Sequence, residues 1–185
     1  MRVTAHVFLS YGLVLVLGSI WRLLPIDFAA PDVIALVAVY LGLTARPVNV
    51  GPMLLRIAPP TLGAVILGYL GDLLAGSPRG LIAFTAGMVC VVGHLVHSAL
   101  IVRGRMVTII FSTVTGATAG LVMLIVRASS GLVPGSLGGE MKTLLASALL
   151  TGLAGPLVFR LCRSVDARFA RSPRERNAAL GGTLS

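Results

Sequence analysis

Apolar positions run through this chain in six stretches, at residues 5–24, 29–44, 60–75, 81–102, 106–126 and 141–161, separated by short polar or proline- and glycine-rich breaks. About 20 apolar residues of helix cross a hydrocarbon layer ~30 Å thick, so the pattern predicts an all-α fold, an integral membrane bundle of six transmembrane helices. Span 2 is the short one. Its clean part is Val33–Leu43, it must recruit Phe28–Ala30 to approach a crossing, and a re-entrant segment is the alternative. Pro25, Asp27, Pro31 and Asp32 mark the break before it, with Pro31 suited to a first helical turn. Residues 46–60, with Arg46, Arg56 and several prolines around Met53, Leu54 and Leu55, read as a connector along the headgroups. Only Arg103, Gly104 and Arg105 separate spans 4 and 5, which must form an antiparallel hairpin. Pro156 is expected to kink span 6. The division expected is a six-helix domain over residues 1–162 and a basic tail over 163–185.

Composition agrees, with 56% hydrophobic and 11% charged residues, the latter roughly half the share of a soluble domain. The formal charge of +9 would suggest nucleic acid as a partner in a soluble protein. Here the basic residues lie between apolar runs and in the tail, which is the pattern of membrane topology and not of a nucleic-acid surface. With six spans, eleven of the fifteen Lys and Arg residues fall on one side: Arg2, Arg46, Arg56, Arg103, Arg105 and the six between Arg160 and Arg176. Arg22, Arg79, Arg127 and Lys142 fall on the other. The excess places both termini in the cytoplasm, and it would scatter if span 2 did not cross. Arg2 and the apolar stretch after it imitate a signal peptide, but the run continues to Leu24 without a small-x-small cleavage site, so a first span is expected. Cys90 and Cys162 lie in apolar runs and read as packing residues.

No phosphate loop, nucleophile elbow or zinc-protease helix motif is present, and no cofactor motif. His94 and His97, three apart in span 4, share a helical face. They could bind a metal or relay protons with Asp72, but the simpler expectation is that they face the interior and hydrogen-bond to hydroxyls of neighbouring helices. Asp72 stands near the outer end of span 3, where Arg79, Arg22, Arg127 or Lys142 are its expected partners. Gly116 and Gly120 form a GxxxG in span 5, and Ala38 and Gly42 a similar pair in span 2. Both suit close helix packing, within the chain more than against another protein. The arginines from Arg160 to Arg176, with Val165 and Phe169 four apart, fit a basic helix lying on an anionic leaflet.

Pro31 leading an apolar helix through Tyr40, followed by Gly68, Asp72, Gly76, Pro78 and Gly80, resembles the core of the rod shape-determining protein MreD family. The resemblance is clearest over residues 31–102. His94 stands where that pattern has an aromatic, Pro59-Pro60 is unusual before span 3, and the arginine-rich tail is long. Membership would imply a non-enzymatic scaffold in the bacterial cytoplasmic membrane. Its partner would be a bitopic MreC-like protein, and through it the MreB filament and RodA with its transpeptidase. In such a scaffold the glycine-lined faces would hold a partner's single membrane helix, and Asp72 and the outer loops would shape an externally open hollow. MreD-like proteins are similar in fold to the S-components of energy-coupling-factor vitamin transporters, so transport is the competing class. That class expects an alanine-xxx-alanine pair on helix 1, which residues 5–24 do not hold.

Overall fold

The computed structural model describes residues 2–23, 30–44, 53–75, 80–97, 105–129, 131 and 137–169. Within them lie six helices and no strand: α1 (Arg2–Leu23), α2 (Val33–Leu43), α3 (Met53–Ala75), α4 (Leu81–His97), α5 (Arg105–Ser129) and α6 (Leu137–Phe169). Among the described residues three stretches are long and apolar enough to cross a membrane, Ile57–Ala75, Met106–Ser129 and Gly138–Arg168.

The helix ends differ from the apolar runs where polar residues join a helix. α3 starts at Met53 and carries Pro59 and Pro60 inside it, so the expected connector is in part its first turns. Proline has no N–H to give to the carbonyls of Leu55 and Arg56, and that loss falls at the arginine-bearing end of the helix. α6, at 33 residues, is about 50 Å long at 1.5 Å per residue. It runs unbroken past residue 162, so the tail begins as a continuation of the last helix, and residues 170–185 lie outside the described part.

α2 is the core. It has 11 residues, about 16 Å of helix, and Leu36, Val37 and Ala38 are fully buried with the rest of Val33–Gly42 close behind, apart from half-buried Ile34. A helix apolar on every side is one surrounded on every side. α2 touches each of the other five helices, and those five touch one another only in the cyclic order α1, α3, α4, α5, α6 and back to α1, a ring closed around it. Its ends are tied off locally. The Asp32 carboxylate accepts the Ala35 N–H at 2.8 Å, and the Thr44 N–H and hydroxyl both return to the Tyr40 carbonyl. Asp32 is thus the N-cap, and Pro31 precedes the helix instead of entering its first turn.

The contacts also fix the helix directions. From Ala30 to Tyr40, α2 meets α6 successively at Ser147, Thr151 and Phe159, so the two run parallel. α2 is parallel to α4 as well, because Ile34 lies by Ile82 and Gly42 by Cys90 and His94. α3 opposes α4, with Thr61 at Cys90 and Asp72 at Gly80, and α5 opposes α6, with Gly120 at Leu144 and Ser112 at Gly155. One end of the bundle therefore collects the C-termini of α2, α4 and α6 and the N-termini of α3 and α5. The chain joining those ends carries Arg46 and Arg103 in its sequence, Arg105 opens α5, and α6 brings Arg160, Arg163 and Arg168 to the same end.

The distribution of polarity is inverted relative to a water-soluble bundle. Leu62, Ile66 and Leu73 on α3, Phe84, Met88 and Val92 on α4, Ile110, Val114 and Leu121 on α5 and Leu145, Leu149, Leu153 and Leu157 on α6 are exposed, each row at four- or seven-residue spacing along one helical face. Ser10, Asp72, Thr85, Thr108, Ser112, Thr115 and Thr151 are buried. Apolar patches covering every outer helix far exceed what a soluble monomer exposes, whereas lipid accepts them.

Candidate functional site

Of the residues that carry the MreD resemblance, Gly68, Asp72 and Gly80 come together at one junction between α3 and α4. α4 begins on Gly80, whose carbonyl accepts the Phe84 N–H at 2.9 Å. Gly80 has φ +96°, a left-handed conformation in which a Cβ would be strained. A glycine at the start of a helix brings no side-chain acceptor for the first-turn amides, which otherwise have no partner. Asp72, on the neighbouring helix, supplies it. One carboxylate oxygen accepts from Ile82 at 2.9 Å; the other accepts from Gly80 at 2.9 Å and Ala83 at 3.2 Å. Asp72 is only 2% exposed, and the positive end of the α4 dipole favours a carboxylate in that place.

Gly68, one turn before Asp72 on the same face of α3, explains how the carboxylate reaches those amides. A Cβ built on Gly68 would fall 2.6 Å from the Ala83 Cα and the Ile82 carbonyl oxygen, so only glycine lets the two backbones approach this closely. The spacing of Gly68, Asp72 and Gly80 is therefore one device: close approach, cap and turn. Gly76 and Pro78 lie outside the described residues. The sequence expectation paired Asp72 with basic side chains; the partners identified are three backbone amides, while the side chains of Arg22 and Arg79 lie outside the description.

The remaining glycines do similar work inside the bundle. Gly116 lies against Thr151 and Gly120 against Leu144, while Gly152 and Gly155 of α6 lie against Thr113 and Ser112 of α5. The α5–α6 seam is thus made of small residues from both sides. Gly42 of α2 faces the backbone of α4 at Cys90 and His94, and Gly93 of α4 faces Val39. The expected use of glycine-lined faces to hold a partner's helix is corrected accordingly, because these faces are filled from within the chain.

Thr151 also joins the central helix to this seam. Its hydroxyl accepts the Asp32 N–H at 2.9 Å and donates to the Ser147 carbonyl at 2.7 Å, and the Ser147 hydroxyl donates to the Ala30 carbonyl at 2.7 Å. At the other end of α2 the Tyr40 hydroxyl donates to Asp166 at 2.7 Å, and its ring packs on Phe159 with centroids 5.5 Å apart. Replacing Tyr40→Phe keeps the ring and deletes the bond. The expected loss is about 1–2 kcal/mol, read by reversible denaturant unfolding in detergent micelles.

His94 is half-buried, and its Nδ1 is buried without a hydrogen-bond partner among the described residues. No neighbouring hydroxyl among the described residues bonds Nδ1, and the side chain of His97 lies outside the description. Neither Cys90, which the Thr61 hydroxyl approaches at 4.0 Å, nor Cys162 is disulfide-bonded, and both are buried. No group of three or more His, Cys, Asp or Glu residues is placed to hold a metal among the described residues.

Helix content, inverted polarity and three stretches of spanning length define a helical membrane protein. No protein-family model, curated protein or solved structure matches this chain.

Proposed function

We propose that the chain is a non-enzymatic scaffold of the bacterial cell-wall elongation complex, of the MreD kind. It crosses the cytoplasmic membrane six times with both termini inside and binds an MreC-like bitopic protein, through which it acts on MreB and on RodA with its transpeptidase. The observation that carries this reading is the Gly68–Asp72–Gly80 junction: the polar residue most conspicuous in the resemblance is spent on joining two helices. The parallel course of α2, α4 and α6 supports six crossings, since it gathers the arginine-bearing connections at one end, as the positive-inside rule requires of a cytoplasmic face.

With the glycine faces filled, a partner's membrane helix has the outward surface available. The outer halves of α5 and α6 offer such a surface, for no residue of α5 beyond Ala119 and none described in α6 before Ala148 is buried. Depletion of the protein from a rod-shaped host tests the function. Cells are expected to round up and to lose localised incorporation of fluorescent wall precursors; retention of rod shape with normal wall synthesis, or loss of uptake of a small molecule instead, would overturn the scaffold reading.

A further inference from the structure

One row of exposed residues follows α6 almost from end to end. Leu145, Leu149, Leu153 and Leu157 are 56%, 62%, 69% and 56% exposed, and the row continues at the same helical spacing through Arg160, Ser164 and Arg168, all exposed. The change from leucine to arginine takes less than one turn, between 157 and 160. Such a change marks the level where hydrocarbon gives way to headgroups. Beyond it the helix stays attached to the bundle: Cys162 is buried on the opposite side, Ala167 is buried near the last turn, and Tyr40 holds Asp166 at 2.7 Å. The arginines are therefore displayed from a braced helix at fixed height, and not from a segment lying loosely on the surface.

We propose that this row is a binding site for an anionic phospholipid of the cytoplasmic leaflet, with the acyl chains along Leu149, Leu153 and Leu157 and the phosphate between Arg160 and Arg168. The two arginine Cα atoms are about 12 Å apart along the axis, a gap that two long side chains can close around one headgroup. Between them stands Ser164, a small residue whose hydroxyl is turned back to the Leu161 carbonyl at 2.7 Å, so no bulky side chain fills the space. A helical side chain leans toward the N-terminus, which tilts Arg168 toward the membrane. A guanidinium pair selects for charge as well as for shape, because a zwitterionic headgroup carries its own ammonium into the site. The inference rests on the arginine-bearing end being cytoplasmic, and it does not depend on any protein partner.

The test uses the purified full chain in detergent and native mass spectrometry, titrating phosphatidylglycerol and phosphatidylethanolamine of identical acyl composition. The wild-type chain is expected to retain phosphatidylglycerol about tenfold more tightly, and the double variant Arg160→Gln/Arg168→Gln to lose that preference. The tail variant Arg171→Gln/Arg174→Gln/Arg176→Gln should stay within about twofold of wild type, and Arg160→Lys/Arg168→Lys should keep most of the preference. Unfolding curves of each variant show whether the fold is intact, and the lysine pair serves should the glutamine pair fail to fold. An equal affinity of wild type for the two lipids, or a preference lost in the tail variant and kept in the glutamine pair, would overturn the proposal. Neither result bears on the depletion phenotype, so the two readings fail separately.

Discussion

Asp72→Ala lowers the unfolding free energy of the bundle by about 3–5 kcal/mol. The size follows from what is left behind. An ordinary N-cap lost from a helix exposed to water costs about 1 kcal/mol, since water takes over the freed amides. Here the carboxylate is 2% exposed and serves three amides, and a buried N–H without a partner costs about 1–3 kcal/mol. Asp72→Asn is expected to fall between the two, about 1–3 kcal/mol, because one oxygen still accepts while the amide group now points N–H at N–H. Ser129→Ala, at an exposed serine bonded among the described residues to the carbonyl of Val126 in its own helix, provides the reference and should change stability by no more than about 0.5 kcal/mol. Denaturant titration in micelles reads all three.

Gly68→Ala is the second large effect, with about 3 kcal/mol lost by the addition of one methyl group. Overpacking costs about 1–3 kcal/mol when flexible side chains can yield, but the atoms 2.6 Å from the built Cβ are the Cα and carbonyl oxygen of α4. The helices must part, and parting them also lengthens the three bonds to Asp72. The double variant Gly68→Ala/Asp72→Ala should consequently cost less than the sum of the single ones, by about 1 kcal/mol or more. Gly12→Ala tests the same change where no atom lies within 4 Å. There the expectation is a neutral or slightly stabilising change, by up to about 1 kcal/mol, from helix propensity alone.

The helices themselves were legible in the sequence because apolar runs of membrane length leave few alternatives, and the polar breaks put each helix in the right part of the chain. Their ends were less so. Proline normally opens a helix, so Pro60 looked like a start, yet the helix begins at Met53 and tolerates both prolines. The central place of α2 was hidden by its composition: Val33–Leu43 has no polar side from which an outer face could be inferred. Only the contacts with all five neighbours show that it lies inside them.

The site was legible as residues and not as roles. Asp72 drew attention as a carboxylate among apolar residues, and charge bookkeeping offered it basic partners. Its amide partners come together only when α3 and α4 pack antiparallel, a tertiary fact. A signal did exist in the sequence, since α4 opens on glycine and then Leu, Ile, Ala and Phe, with no Ser, Thr, Asp or Asn to cap it. A helix start without a cap asks where its amides are satisfied. Thr151, Gly152, Gly155 and Asp166 gave no comparable signal, because nothing local in the chain ties them to Asp32, Thr113, Ser112 and Tyr40.

That this bundle works by holding another membrane protein is tested most directly by affinity purification of the tagged chain from mildly solubilised native membranes, followed by identification of what accompanies it. The expected result is a bitopic MreC-like protein in near-stoichiometric amount, retained by Tyr40→Phe, whose change is internal to the bundle. Repeated recovery of the folded chain without such a protein, or with the coupling subunits of a transporter in its place, would contradict it.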